Sequence, residues 1–293
     1  TIEWITDSFI QWKEGNFTNT TALNGILKLG GESGSETDHT SETDGSSWSV
    51  QNLNNNYNEP IVFATSNTEN GAQSPKIAKI RNVQSSSFEY KICEHEESDG
   101  NCDGHANENL GFVVFEKNLV DSMANVEAGR IDISADNVGE AVTINFDETF
   151  SNTPIVIATQ QSCNEEGESV VQVPSVDTDS FDVYLCDHDE SSSDSCESHG
   201  TETIVWIALD PLNNPIPNSE AGLTSSIHDS SWTNQDFSFD FDASPVVIST
   251  INSNNGGQEA KPTMVKNVNE NSMQIRYCEH DGGDTCDSHN PEN

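Results

Sequence analysis

The stretch Ser180-Phe-Asp-Val-Tyr-Leu-Cys-Asp-His188 decides the fold, because its ending is repeated on both sides of it. A Cys-x-His step starts at Cys93, at Cys186 and at Cys278, at intervals of 93 and 92 residues. Each copy continues to a second cysteine, a histidine three residues later and a glutamate three residues after that. Internal repetition at a fixed period is the signature of tandem structural units, so the sequence predicts three copies of one domain.

The residues around this step have the pattern of β-strands. Phe88, Tyr90 and Ile92 alternate with Glu89 and Lys91, and period-two alternation marks a strand with one buried face. Upstream in every copy lies a β-branched segment that begins with proline, a residue tolerated at the first position of a strand. No stretch shows helical periodicity over three turns. We therefore predict an all-β fold class of three tandem antiparallel β-sandwich domains, with an N-terminal strand displaced from its own domain.

The predicted domain boundaries follow from where the copies end. The segments 110–115 and 204–209 follow the glutamate in the first two copies and are apolar on both faces, which is typical of a central strand. The third copy stops before this strand, whereas Thr1-Ile-Glu-Trp-Ile5 is similar to Thr203-Ile-Val-Trp-Ile207. We therefore predict a donor-like strand at 1–6 and β-sandwich repeats at 7–120, 121–213 and 214–293, the third lacking its last strand.

The displaced strand predicts how molecules associate. A sandwich without a central strand exposes apolar side chains and unpaired backbone groups, which recruit a strand from elsewhere. We predict that the donor strand of one molecule fills the third repeat of the next, which gives a head-to-tail homopolymer. The strand donor consists of Thr1, Ile2, Glu3, Trp4 and Ile5. Two alternatives stay open, namely a longer covalent array of repeats and a monomer whose final repeat is incomplete.

The composition excludes several classes of function. Asp and Glu number 50 against 11 Lys and Arg, for a formal net charge of −39, and such a surface repels nucleic acid and anionic membranes. It attracts divalent cations, or keeps the chain soluble in concentrated salt. The longest apolar run, 204–209, is too short for a membrane span, which needs about 20 residues. With few Lys and many Asn, Ser, Thr and Gly residues, the chain is predicted to be extracellular or on the cell surface.

Six of the seven cysteines form close pairs along the sequence. An even pair that encloses a short loop is typical of a disulfide in an oxidising compartment. The three predicted disulfides are Cys93–Cys102, Cys186–Cys196 and Cys278–Cys286. Each disulfide is expected to stabilise its repeat by roughly 2–3 kcal/mol. The seventh cysteine, Cys163, has no predicted partner.

The same loops carry residue types that bind metals. Two Cys and two His per loop are the ligand count of a structural zinc site, although their spacing is unlike that of common zinc motifs. Dense carboxylates in these loops are hard ligands for Ca²⁺, without a known calcium-loop pattern. No cofactor is required, and Ca²⁺ is favoured over Zn²⁺ as the alternative. The candidate metal ligands are His95, His105, His188, His199, His280, His289, Asp99, Asp189 and Asp281.

The His-x-x-Glu step of each copy has a catalytic and a structural interpretation. The structural one, in which the histidine ties the loop to the following strand by hydrogen bonding, is favoured. No Ser-His-Asp order, glycine-rich phosphate loop or metal-hydrolase motif is present in the sequence. We therefore predict no catalytic residues and a protein that is not an enzyme.

Three elements of the repeat carry a family resemblance. They are Phe146-Asp-Glu-Thr-Phe150 leading to Pro154-Ile-Val156, the strand at 181–185, and Asp103-Gly104-His105 to Glu108 before an apolar strand. They resemble the H-type lectin β-sandwich and its bacterial extracellular relatives. The resemblance implies a small antiparallel sandwich, and in some members sugar binding and trimers. The Cys pairs and the threefold duplication depart from that family, and the motifs assign no sugar-binding residue.

Two functions are predicted, in order of preference. The first is a structural subunit of an extracellular filament or surface fibre, assembled head-to-tail by β-strand complementation. The alternative is a multivalent carbohydrate-binding adhesin with glycans as partners, in which weak repeated sites gain through avidity. In that alternative Trp48 and Trp232 stack on sugars, although a Trp on a strand is more often part of the core.

Overall fold

The computed structural model describes residues 7–13, 15–16, 35–43, 45, 47–70, 75–94, 106–120, 123–134, 140–164, 169–187, 196, 199–213, 216, 219–224, 231–252 and 260–278. These residues form strands β1 to β19 and one four-residue helix, α1, which confirms the predicted all-β class. Among them, no helix has the length and apolarity that crossing a membrane would require.

The strands follow one another in three similar groups. Strands β1 (Asp7–Lys13) and β2 (Gly15–Asn16) come first. The first repeat contains β3 (Ser35–His39), β4 (Ser49–Asn52), β5 (Pro60–Ser66), β6 (Lys76–Gln84), β7 (Ser87–Glu94), β8 (Leu110–Glu116) and α1 (Lys117–Val120). The second contains β9 (Val126–Ile133), β10 (Val142–Asn145), β11 (Ile155–Gln160), β12 (Val170–Val176), β13 (Ser180–Cys186) and β14 (Glu202–Leu209). The third contains β15 (Ser219–Thr224), β16 (Thr233–Asp236), β17 (Pro245–Ile251), β18 (Thr263–Lys266) and β19 (Ser272–Tyr277).

Each repeat is a sandwich of two antiparallel sheets. The outer sheets have the strand orders β4-β7-β6, β10-β13-β12 and β16-β19-β18. The inner sheets have the orders β2-β3-β8-β5, β9-β14-β11 and β15-β1-β17. One parallel bridge between Gln172 and Ile251 joins the outer sheet of the second repeat to the inner sheet of the third. The second and third repeats are therefore connected by backbone pairing.

Strand β1 completes the third repeat. It lies antiparallel between β15 and β17, with Ile10 opposite both Ala221 and Ile248. In the first two repeats the same central position is occupied by β8 and β14. Because a missing central strand leaves unpaired backbone groups on both neighbours, β1 satisfies two sheet edges at once.

The predicted strand exchange differs from the structure in two details. The strand that fills the third repeat is Asp7–Lys13, which the predicted boundaries placed in the first repeat, and it comes from the same chain. The predicted donor residues, Thr1, Ile2, Glu3, Trp4 and Ile5, lie outside the described residues. Pairing of Pro245 with Lys13 matches that of Pro60 with Glu116, so the inner-sheet register is kept. Ile10, and not Ile5, thereby takes the position that Ile207 has in the second repeat.

The predicted two-sided burial of the central strands is confirmed. One face of β8 packs into the sandwich core of the first repeat through Leu110, Phe112 and Val114. Its other face contributes Val113 and Phe115 to a separate core. Strand β14 divides in the same way between the core of the second repeat and the separate core. Alternate residues of a strand point to opposite faces, so one strand can serve two cores.

The separate core, which we call the central core, is shared by all three repeats. Inner strands of the three sandwiches converge there, and their buried side chains form one cluster. Its members include Ile61, Phe63, Val113, Phe115, Val126, Ile155, Ile157, Val205, Ile207, Leu209, Val246 and Ile248. Burying one such side chain contributes roughly 1.5–3 kcal/mol relative to leaving it exposed. The central core therefore holds three small sandwiches together as one body.

Equivalent threonines at the ends of the inner strands tie the repeats together around the central core. The Thr65 hydroxyl accepts a hydrogen bond from Ser249 N at 3.3 Å. The Thr250 hydroxyl accepts from Ala158 N at 3.1 Å and donates to Ala158 O at 2.9 Å. The third equivalent residue, Thr159, has a buried hydroxyl without a partner among the described residues. The three repeats thus share one contact scheme, which is incomplete at one of its three positions.

Two glycines are required by close packing. A Cβ on Gly111 would clash with the side chain of Asn67, which donates a hydrogen bond to Val247 O at 3.4 Å and so links the first repeat to the third. A Cβ on Gly129 would lie 2.6 Å from Cε2 and Cζ2 of Trp206, the residue opposite it in β14. Trp206 in turn packs against Phe146 and Phe181 in the core of the second repeat.

Replacing Gly129 with alanine should destabilise the chain by about 1–3 kcal/mol, because the added methyl group overpacks the indole of Trp206. The cost should fall in a Trp206→Phe background, since phenylalanine lacks the atoms that the methyl group meets. Urea unfolding of the wild type, both single variants and the double variant would measure this coupling. Equal costs in both backgrounds would contradict the packing described here.

Candidate functional site

One of the three predicted disulfides is confirmed in full. Cys186 and Cys196 are bonded, with their Cα atoms 4.9 Å apart. Cys93 and Cys278 are also in disulfides, and their predicted partners, Cys102 and Cys286, lie outside the described residues. Cys163 carries a thiol and is half-buried. The Cys186–Cys196 pair packs with Val170, Tyr184 and Ala260, so this disulfide lies against the third repeat.

Of the predicted metal ligands, only His199 is described. It is buried, its Nδ1 lies 2.6 Å from the carbonyl oxygen of Gly200, and its Nε2 finds no partner among the described residues. No group of three or more metal-binding side chains comes together in the part of the chain that the structure describes. The zinc and calcium alternatives therefore stay predictions for the loops that carry the remaining ligands.

The glutamates of the His-x-x-Glu steps tie loops to strands. Glu202 accepts hydrogen bonds from Asn164 N at 2.7 Å and from the Ser162 hydroxyl. Glu108 accepts from Asn70 N and forms an ion pair with Lys76 at 3.5 Å. The structural interpretation assigns such a tie to the histidine, and His199 does contact the Gly200 carbonyl oxygen, two residues before β14 begins. The carboxylates add further ties, because two acceptor oxygens can bridge several loop donors at once.

A second set of carboxylates, one in each repeat, accepts hydrogen bonds from the backbone of another loop. The repeat motif did not reveal this set. Glu36, Glu127 and Glu220 occupy equivalent positions in the first strand of each repeat. Glu36 accepts from Asn54 N at 2.9 Å, Glu127 from Asp147 N at 2.9 Å, and Glu220 from Ser238 N at 2.8 Å. The recurrence of Glu-Ala-Gly at 127–129 and 220–222 is the sequence signal that could have found them.

Asp210 closes the end of β14. It is fully buried and accepts hydrogen bonds from Leu212 N at 2.9 Å and from the side chains of Asn213 and Asn152 at 3.1 and 3.2 Å. Burial alone would raise the pKa of this carboxyl, but the hydrogen bonds from Asn213, Leu212 and Asn152 outweigh it and lower the pKa below its ordinary value. Asp210 is therefore held in its charged form.

The scarce basic residues are concentrated in the interior. Of the nine Lys and Arg residues whose burial the structure describes, five are buried. They are Lys76, Lys79, Lys91, Lys261 and Arg276. Lysine and arginine are almost never fully buried unless they are paired. We therefore looked in the structure for the groups that pair with each of these buried cations.

A cavity of about 60 Å³ lies where the three repeats meet. We call it the junction cavity. Each repeat contributes three residues of its inner strand and three near the start of an outer strand, namely 64–66 with 76–78, 158–160 with 169–171, and 249–251 with 261–263. Lys76 and Lys261 line it, and none of the described lining residues is acidic. Beside it, Lys79 Nζ donates to the Ser169 hydroxyl at 2.6 Å and to Gln160 Oε1 at 3.4 Å.

Two tryptophans pack under cations. The guanidinium of Arg81 lies 3.9 Å from the ring centre of Trp48. In the third repeat Lys266 Nζ lies 3.9 Å and the Arg276 guanidinium 4.5 Å from the ring centre of Trp232. The second repeat has Ala141 at the equivalent position before its strand β10. A ring face covered by a cation is stabilised by the attraction of the charge to the ring electrons.

Glu69 connects the first repeat to the third through these cations. Its two carboxylate oxygens lie 2.6 Å from Lys266 Nζ and 2.7 Å from Arg276 Nη2. Burial lowers the pKa of Arg276, and the nearby charge of Glu69 opposes that effect. The Arg276 side chain is completely buried, so Glu69 is the charge that makes its burial tolerable.

These features define a class: a strongly acidic, disulfide-bonded all-β protein in which three sandwiches close around a common core. The chain is similar to halomucin of Haloquadratum walsbyi, with 26% identity over an alignment of 251 residues that covers 82% of this chain. It spans 3% of the length of halomucin. No family model and no solved structure matches the chain. The resemblance to H-type lectins therefore stays a prediction.

Replacing Glu69 with glutamine should destabilise the chain by about 3 kcal/mol, because it leaves the buried Arg276 charge without its counter-ion. The matched control is Glu89→Gln, which removes the charge from the Arg81–Glu89 pair, where the side chains are 33% and 28% exposed. That control should cost less than about 1 kcal/mol. Denaturant unfolding of both variants would measure the difference, and similar losses would contradict the assigned role of burial.

Replacing Asp210 with asparagine should cost about 1 kcal/mol near neutral pH, because a carboxylate that accepts several hydrogen bonds is lost. The folded-state pKa is lowered, so this stabilisation is present above the ordinary pKa and disappears as the pH falls through the folded-state value. Unfolding free energies measured between neutral and strongly acidic pH should therefore converge for the two chains. The exposed Asp147, changed to asparagine, serves as the control for the loss of one negative charge from the chain.

Proposed function

We propose that this chain is a structural module of an extracellular, salt-adapted surface protein, closed on itself by strand complementation within the chain. The observation that carries the proposal is the position of β1 between β15 and β17. A strand held by two neighbours links the beginning of the described chain to its last repeat. Such a module is resistant to local opening at the third repeat, which is a useful property in a protein exposed to proteases.

Three further observations support the location outside the cell. The Cys186–Cys196 disulfide is typical of oxidising compartments. The net charge of −39 suits concentrated salt, where screening reduces the repulsion between acidic groups. Similarity to a stretch of halomucin supports the same location, since the name denotes a mucin. The proposal needs no catalytic residue, and we propose that the module is not an enzyme.

A fibre built head-to-tail would also use β1 to fill a third repeat, but the strand would come from a different chain. In a fibre, β1 would leave the third repeat of its own chain and enter that of the next chain. Both arrangements make the same backbone hydrogen bonds, so the choice depends on chain concentration and on the linker between β1 and the first repeat. The closed module is favoured because the structure of one chain already satisfies both neighbouring strands.

Carbohydrate binding is a weaker candidate for the described residues. The ring of Trp48 is covered on one side by Arg81, and the ring of Trp232 by Lys266. A sugar that stacked on these faces would have to displace a cation that the ring already attracts. Glycans therefore stay in the proposal only as partners of the loops that lie outside the described residues.

Cysteine trapping would distinguish closure within a chain from exchange between chains. Ile10 and Ala221 are directly opposite in neighbouring antiparallel strands, a geometry that a disulfide can bridge. Oxidation of the Ile10→Cys, Ala221→Cys double variant should give a cross-linked chain of monomer mass, with the new bond located by peptide mapping. The Ile10→Cys single variant, treated identically, controls for exchange with the native cysteines.

A ladder of covalent oligomers from the double variant alone would contradict the closed module and support the head-to-tail fibre. Deleting residues 7–13 gives a second readout. The closed module predicts that the deletion exposes the edges of β15 and β17, so that the third repeat becomes sensitive to protease while the second repeat, which keeps its central strand β14, stays intact.

A further inference from the structure

We propose that the third repeat binds a small monovalent anion beside the stacked side chains of Trp232 and Arg276, with chloride as the probe of choice. Thr233 pairs with Ile275, so Trp232 and Arg276, one residue further along each strand, lie opposite each other. They share the face of the outer sheet that is turned away from the sandwich core, because Ile275 points into that core. This inference goes beyond the proposed function, because it concerns how a buried positive charge is compensated.

Arg276 carries more hydrogen-bond donors than the structure satisfies. Its side chain is completely buried, and its Nη2 donates to Glu69 Oε1 at 2.7 Å and to the sulfur of Met264 at 3.7 Å. Its Nε and Nη1 are buried and find no hydrogen-bond partner among the described residues, and the same holds for Nε1 of Trp232. The Arg276 guanidinium lies 4.5 Å from the centre of the Trp232 ring, so these donors belong to one pair of stacked side chains. Buried donors are almost always satisfied in folded proteins, so several exceptions in one pair point to a ligand that accepts hydrogen bonds.

The balance of charge favours an anion over water. Lys266 and Arg276 both lie against the Trp232 ring, and both pair with the same carboxylate, that of Glu69. Two cations and one carboxylate leave one positive charge of this cluster uncompensated by the groups that the structure places in contact with it. Guanidinium and indole N–H groups only donate, so an anion fits them better than water, which must also donate. An anion also supplies the second negative charge that a buried guanidinium needs.

The first repeat has a carboxylate that the third repeat lacks. Arg81, which covers the Trp48 ring, lies opposite Glu89 in the neighbouring strand and forms an ion pair with it at 2.7 Å. At the same register in the third repeat, Lys266 lies opposite Gln274, which is neutral. The outer sheet of the third repeat therefore carries one negative charge fewer beside its tryptophan, and an anion from the solvent would replace it.

The direct test is a crystal structure of the full chain grown in sodium bromide. Bromide replaces chloride and gives an anomalous signal, so an anomalous peak in contact with Trp232 and Arg276 would support the site. A structure in which water or a carboxylate of the chain itself satisfies Nε and Nη1 of Arg276 would overturn the proposal.

A solution test uses thermal unfolding of the full chain in sodium chloride and in sodium gluconate at equal ionic strength. Wild-type protein should melt at a higher temperature in chloride, because a ligand that binds only the folded state stabilises it. Gln274→Glu places a carboxylate opposite Lys266, as Glu89 is placed opposite Arg81. The fixed charge takes the role of the anion, so most of the rise in chloride should be lost. Gln84→Glu adds the same charge at an exposed position of the first repeat and should keep the full rise.

A second pair of variants tests the indole donor. Trp232→Phe keeps an aromatic ring beside the two cations and removes the indole N–H, so it should weaken chloride binding about tenfold, as the loss of one hydrogen bond to an ion does. Trp48→Phe is the matched control. The Trp48 Nε1 is likewise buried without a partner in the described part of the chain, but its repeat has the Arg81–Glu89 ion pair, so this variant should keep the wild-type chloride dependence.

General effects of the two salts on exposed surface are common to all of these chains and cancel in the comparison. Equal chloride dependence in wild type, Gln274→Glu and Trp232→Phe would contradict the proposal. The absence of any difference between the two salts in the wild-type chain would contradict it as well.

Discussion

The backbone pairing of β1 with β15 and β17 is the constraint on which the remainder of the structure depends. Without it, the third inner sheet would consist of two strands that do not touch, and its side of the central core would have no support. With it, three equivalent inner sheets face one another and bury a shared apolar cluster. A small sandwich buries too little surface to be very stable by itself, so sharing one core among three repeats gives each of them stability that it lacks alone.

Much of the fold could be predicted from the sequence because its signals are local. The alternation of Phe88, Tyr90 and Ile92 with charged residues predicted a strand with one buried face. Those three side chains are buried together in the core of the first repeat. The two-sided apolar segments likewise became β8 and β14. The Cys186–Cys196 disulfide followed from spacing alone. Each of these features depends on neighbours within one repeat, where the period of two and the loop length leave few alternatives.

The source and register of the donated strand could not be predicted in the same way. Residues 1–5 and 7–13 are both short segments in which isoleucine and tryptophan are mixed with polar residues, and either can pair with β17 as far as composition is concerned. An odd shift between them exchanges the two faces of the strand, so the correct register depends on which face meets the central core. That core is assembled from all three repeats, and no single repeat reveals its shape. The buried lysines were missed for the same reason, because charged residues are expected at the surface unless a junction between repeats encloses them.

Strand β1 is synthesised before every other described element, whereas both of its partners are encoded near the far end of the chain. A nascent chain leaving the ribosome or a secretion channel must therefore keep this segment available until the final repeat has emerged. Closure over so long a loop is slow, because distant contacts form only after much chain entropy has been lost. During that delay, β15 and β17 have no central strand between them, so their facing edges stay unpaired. The inner sheet of the third repeat is therefore the last of the three to be completed, and the central core closes only with it.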